Sequence, residues 1–166
     1  MLLVFIAISA NAQEARNEVK VNLLGLAIGL PDLSYERLLN DKMGVGLSLG
    51  MGFKNGKHYH DQYRYVLLPH FRYYFGSKYA SGFFLEAHAS VISAKKDLKD
   101  EFKDEQKFEP YFGLGAALGV KLFNKKGFLA EGYAGLGQQL NVDKDKMRYR
   151  SNHLYPRIGI SIGKRF

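Results

Sequence analysis

Met43-Gly44-Val45-Gly46-Leu47-Ser48-Leu49-Gly50-Met51-Gly52-Phe53 decides how the rest of the chain is read. Its large apolar residues, Met43, Val45, Leu47, Leu49, Met51 and Phe53, fall on one side of an extended chain. Gly44, Gly46, Ser48, Gly50 and Gly52 fall on the other. A repeat of two is the period of a β-strand. The stretch from Phe112 to Leu122 has the same design, with Phe112, Leu114, Ala116, Leu118, Val120 and Leu122 opposite Gly113, Gly115, Ala117, Gly119 and Lys121. In a soluble sheet the second face would carry Thr, Lys, Glu or Gln, because glycine weakens a strand interior. Residues this small suit a crowded bore, and an eight-stranded barrel has one just wide enough for side chains to fill. The bulky apolar face must then point outward, which is tolerable only against lipid. A soluble carrier barrel would be dressed the other way round.

Working outward, the alternation predicts eight strands over Glu18–Ile28, Leu33–Leu39, Met43–Phe53, Arg64–Phe75, Phe83–Ala94, Glu109–Phe123, Phe128–Asn141 and Leu154–Phe166. The number is even and most lengths approach the ~10 residues of a tilted spanning strand. The first segment changes parity at Leu23-Leu24, for which a β-bulge is the expected cause. The connections Asn40–Lys42, Gly76–Gly82 and Asn124–Gly127 are short, whereas Lys54–Tyr63, Lys95–Phe108 and Val142–His153 are long and polar. Around Pro31-Asp32 alone is the turn on the long-loop side tight. Outer-membrane barrels keep short turns on the periplasmic side and long loops outside. The fold expected is therefore an all-β, eight-stranded antiparallel transmembrane up-and-down barrel.

The 166 residues include 18 glycines, no cysteine and no tryptophan, with a net charge of +8. Absence of cysteine excludes disulfides, thiolate metal sites and Cys nucleophiles. The positive charges are dispersed and form no basic stripe, so no nucleic-acid partner is expected. Met1–Ile8 is the one long uninterrupted apolar run, too short to span a bilayer as a helix. Ser9-Ala10-Asn11-Ala12 follows it with small residues in an A-x-A spacing. Residues 1–12 are expected to be a signal peptide, and 13–166 one barrel domain.

The pattern resembles the small eight-stranded outer-membrane proteins of Gram-negative bacteria, the OmpA/OmpX-like barrels. Lys20-Val21-Asn22-Leu23-Leu24, Leu33-Ser34-Tyr35-Glu36-Arg37, Leu68-Pro69-His70-Phe71-Arg72-Tyr73-Tyr74-Phe75 and the glycine-rich stretch after Tyr111 are similar to one such family, catalogued only as a domain of unknown function. The resemblance implies a location in the bacterial outer membrane and no reaction. Ile158, Ile160, Ile162 and the last residue, Phe166, share a face and resemble the C-terminal signal read by the barrel-assembly machinery during insertion. Lys164 departs from it at an apolar-parity position, where a long side chain can extend its ammonium to the interface.

With the large residues outside, parity assigns Lys20, Glu36, Arg64, His70, Arg72, Glu86, His88, Lys121, Glu131, Arg157 and Arg165 to the lumen. Buried charges are tolerated when paired and hydrogen-bonded. Glu36, Glu86 and Glu131 are expected to meet Arg72, Lys121 and Arg157, with Tyr74 or Tyr133 joining. The network then acts as a structural plug; the sharper alternative is an ion or proton path through His70 and His88. Tyr65, Phe71, Tyr73, Phe75, Phe83 and Phe112 read as interfacial girdle residues, Tyr supplying the amphipathic rings that Trp otherwise would.

Among the loops, His58-Tyr59-His60-Asp61 has two imidazoles at alternate positions, a weak metal signal beside the plainer reading of a solvated loop. Lys95–Glu109 is a charged loop or a short amphipathic helix around Leu98 and Phe102. Asp143–Arg150, with Tyr149, carries more basic than acidic residues and could touch lipopolysaccharide phosphates.

The function expected is non-enzymatic: envelope structure, surface interaction, or a subunit of a larger outer-membrane complex. Lipid and lipopolysaccharide are the expected surroundings, and no cofactor or metal is called for. Two alternatives stay open. One is a lipid A acyltransferase or deacylase, for which Ser151-Asn152-His153 and His58/His60 lie at the right end but lack nucleophile–base spacing. The other is a narrow solute or ion channel.

Overall fold

The computed structural model describes residues 15–52, 63–76, 78–95, 108–140 and 154–166. Eight antiparallel strands close on themselves in chain order: β1 (Asn17–Asn22), β2 (Asp32–Leu38), β3 (Met43–Met51), β4 (Tyr63–Tyr74), β5 (Gly82–Lys95), β6 (Phe108–Phe123), β7 (Phe128–Gln139) and β8 (Leu154–Arg165). Each strand pairs with its sequence neighbours, and β1 meets β8 to complete the tube. Followed round the barrel, the paired residues Glu18, Glu36, Gly46, His70, His88, Gly115 and Gly137 lead to Tyr155 and not to Arg165, Glu18's own partner on β8. The strands are therefore staggered and tilted, as closure demands.

The dressing is inverted relative to a soluble protein. Leu47, Leu114 and Leu118 are 43%, 55% and 52% exposed, while Glu36, Glu86 and Lys121 are fully buried. Leu49 is half-buried on the same outward face. The girdle candidates Tyr65, Phe71, Phe75, Phe83 and Phe112 are exposed and Tyr73 is partly so. Lys164 also points outward, its ammonium 5.7 Å from the Phe128 ring centroid.

One strand prediction is corrected. Glu18–Ile28 is not a continuous strand with a bulge: β1 stops at Asn22, and Leu23–Ala27 form one helical turn, α1. Asn22 supplies the reason. Its Oδ1 accepts from Gly25 N–H at 3.2 Å, capping the turn, and also from Ile160 N–H at 3.2 Å. The side chain thus takes the place of the next ladder rung on β8. A helical turn shifts apolar parity by one, as a bulge would, so pattern alone does not separate them. The remaining predicted strand ends differ by one or two residues, except where Phe53 and Asn141 lie outside the described residues.

Short turns close one end of the barrel. Asn124 Oδ1 accepts from Lys126 and Phe128 N–H, and Gly127 takes the left-handed φ of +85° that this turn requires. The β4–β5 connection does something the sequence did not announce. Ala80 and Ser81 are buried, Ala80 N–H donates to Asp41 O at 2.6 Å, and the segment folds beneath the tube. Ala80, Tyr74, Phe84, Leu38 and Tyr133 form an apolar cluster over it, with Tyr79 packed alongside.

Candidate functional site: a charge-paired lumen

The inward faces of the strands bring the predicted lumen charges together. Lys20, Glu36, His70, Arg72, Glu86, His88, Lys121, Glu131, Arg157 and Arg165 are all buried inside the tube. The Arg64 side chain lies outside the described residues. Arg72 on β4 is the hub: its Nε donates to Glu86 Oε2 at 2.8 Å, and its Nη1 donates to Glu131 at 2.8 Å and Glu36 at 3.1 Å. Four elements are thereby tied through one guanidinium. Lys20 Nζ donates to Glu36 at 2.5 Å and Glu131 at 3.2 Å. Tyr74 OH donates to Glu36 Oε1 at 2.5 Å and accepts from Lys121 Nζ.

Glu18 was not singled out from the sequence, yet it is fully buried and central to the lower lumen. It accepts from Lys121 Nζ at 2.7 Å and from Arg165 Nε at 2.9 Å. The signal was present, since Glu18 has the parity of Lys20. Asp32 was missed as well; it accepts from Arg157 Nη1 at 3.4 Å. With these two included, the carboxylates Glu18, Asp32, Glu36, Glu86 and Glu131 are matched one for one by Lys20, Arg72, Lys121, Arg157 and Arg165. No surplus charge is left among them to attract an ion.

Aromatic rings brace the cations. Arg72 lies 4.4 Å over Phe84, Arg157 4.6 Å over Tyr133, and Arg165 4.0 Å over Phe123. Desolvated cations over ring faces gain about 2 kcal/mol. Arg165 also donates to the carbonyls of Tyr79 and Ala80 at 3.0 and 2.9 Å, fastening the folded-in turn to the end of β8.

The glycines of the bore are seats for these large groups. Phe84 lies against its cross-strand partner Gly119, Tyr133 against Gly159, Tyr155 against Gly137 and Lys20 against Gly163. His70 and His88, cross-strand partners on β4 and β5, turn their Nε2 atoms to Gly46 and Gly115 on opposite sides. The two rings thus point to different neighbours, His70 toward β3 and His88 toward β6. No group of three or more His, Cys, Asp or Glu residues suited to a metal occurs among the described residues.

Ile158, Ile160 and Ile162 are outward and exposed, and Phe166 is half-buried with its N–H and carbonyl paired to Asn17. The candidates His58, His60, Asp61, Leu98, Phe102, Tyr149 and Ser151-Asn152-His153 lie outside the described residues, as do residues 1–12.

Residues 1–158 match the model of a family described as a protein of unknown function, DUF3575. No curated protein matches the chain. Among solved structures, the barrel is similar to the N-terminal β-barrel domain of OprF from Pseudomonas aeruginosa, with a TM-score of 0.57 and 16% identity. The likeness covers 92% of this chain and 98% of that one, and at this identity it speaks to the fold.

Proposed function

The chain belongs to the DUF3575 family of proteins of unknown function, and from that premise we propose that it is a non-enzymatic outer-membrane barrel of a Gram-negative envelope, closed by its own side chains. The observation that carries this reading is the inversion: leucines and isoleucines stand half exposed around a tube whose carboxylates and guanidiniums are buried. In water that exterior would be an apolar surface far beyond what a soluble protein presents. Against acyl chains it is the ordinary face of a spanning barrel. The OprF barrel domain supports the same architecture.

Its role is structural, presenting loops to the surface or serving as a subunit of a larger outer-membrane assembly, with lipid and lipopolysaccharide around it. Ile158, Ile160, Ile162 and Phe166 are the residues offered to the insertion machinery. Expression followed by membrane fractionation and unheated electrophoresis tests the reading. The chain should sediment with outer membrane and run faster before boiling than after. A chain that remains soluble without detergent would overturn it.

A further inference from the structure

The wall of the barrel is not hydrogen-bonded all the way up. β1 pairs with β8 from Glu18↔Arg165 to Asn22↔Ser161, and there the pairing ends. β8 continues to Leu154, and above Ser161 its β1 side meets α1 in place of a strand. Ile160 N–H faces that side, since it donates to Asn22 Oδ1, so by the period of two Ile158 and Pro156 face it also. Pro156 brings no N–H to the unpaired edge, a usual way to blunt one. The seam lies in the apolar exterior, between exposed Leu154, Ile158 and Ile160 on one flank and Leu26 and Ile28 on the other. Behind it stand polar groups. Arg157 reaches across from β8 to Asp32 and to Ser48 Oγ at 3.3 Å. Asp32 Oδ1 and Ser34 Oγ are buried with no hydrogen-bond partner among the described residues.

We infer that this seam is a lateral entry site for the headgroup of a zwitterionic phospholipid, resting on the reading that the barrel sits in a bilayer. The Arg157–Asp32 pair has the complementary polarity: Arg157 receives the phosphate, and Asp32 Oδ1 accepts from the ammonium of a phosphoethanolamine. The acyl chains remain outside along Ile158, Ile160, Leu26 and Ile28. A helical turn can move aside there without breaking a strand ladder, and nowhere else along the described strand pairs does the register leave so long an edge unpaired.

The test is photolabelling of the full chain in phosphatidylglycerol vesicles, with trace phosphatidylethanolamine carrying a diazirine next to the glycerol. Adducts are mapped by peptide mass spectrometry. Labelling of Asp32, Ser34 or Ser48, relative to outward Leu114 and Leu136, should be about tenfold higher than with the matching phosphatidylglycerol probe. Asp32→Ala, which leaves Arg157 its Glu86 partner, should bring that ratio down to the phosphatidylglycerol value. Adducts confined to outward residues overturn the entry site, and equal interior labelling by the two probes overturns the headgroup assignment. Absence of adducts on Leu114 and Leu136 as well would mean that the bilayer reading has failed, a different result from failure of the seam.

Discussion

Glu36 touches Lys20, Arg72, Lys121 and Tyr74 at once, so its carboxylate is where a single substitution does most harm. Glu36→Ala leaves five buried cations to four carboxylates: Lys20 and Arg72 keep Glu131 and Lys121 keeps Glu18, but one positive charge is uncompensated, a change that costs about 3–5 kcal/mol. Urea unfolding in detergent micelles should show that loss, with Glu36→Gln falling between the two. Replacing Glu36 and Lys20 together by apolar residues of similar size should cost less than the sum of the single changes, because neither charge is then stranded. The glycine seats give a second prediction at this scale. A Cβ on Gly119 would collide with the Phe84 ring and one on Gly137 with Tyr155, whereas a Cβ on outward-facing Gly132 meets nothing within 4 Å. Gly119→Ala and Gly137→Ala should each lower stability by about 1–3 kcal/mol. Gly132→Ala should be neutral or raise it by up to ~1 kcal/mol. Equal effects at the three positions in the same unfolding assay would show that the seats do not bear on stability. These pairings were half legible in sequence: alternation put glycine and charge on one face, but not which ring rests on which glycine. That depends on cross-strand register, a non-local property.

At the scale of elements, the period of two is interrupted only locally among the described residues, where the β4–β5 register shifts between Tyr63 and Tyr65 and where Ile92 and Ser93 are both buried. The strands were readable because each buries one face with that period. α1 was not, since five residues are too few to display a helical period. What forms it is Asn22, whose side chain serves both the turn and the edge of β8. Asn22→Ala removes both bonds and should cost about 0.5–2 kcal/mol, with the amide of Ile160 losing hydrogen-exchange protection ahead of Ser161 and Ile162. Unchanged protection at Ile160 would mean that its N–H finds another partner. The turn over residues 78–81 was illegible for a related reason. Its sequence is that of an exposed connection, and its burial depends on Arg165, far along the chain, holding the carbonyls of Tyr79 and Ala80. Arg165→Ala should free this turn, and protease cleavage after Lys78 should become faster than in the parent chain.

For the molecule as a whole, charge balance and packing argue for a closed tube. Buried carboxylates and cations neutralise each other pairwise, and below them the cluster of Leu38, Tyr74, Ala80 and Phe84 covers the bore. Reconstituted into a planar bilayer, the parent chain should give no steady conductance. The combined variant Arg165→Ala with Phe84→Ala should conduct more than the parent, and a parent that conducts steadily would contradict the plug. Fold class, strand count and facing were all set by local patterning. The plug and the seam were not, because both depend on where strands end relative to their neighbours.

Seating a ring on a glycine also has a bearing on fidelity. Sliding one strand by a single residue along its neighbour turns every side chain to the wrong surface and is rejected at once. Sliding by two keeps inside in and outside out, so hydrophobicity is blind to the mistake. It would, however, take Tyr133 off Gly159 and set it against Arg157 or Ser161, and take Phe84 off Gly119 onto Ala117 or Lys121. The mortised bore thus proofreads a kind of alignment error that the apolar outer surface cannot detect.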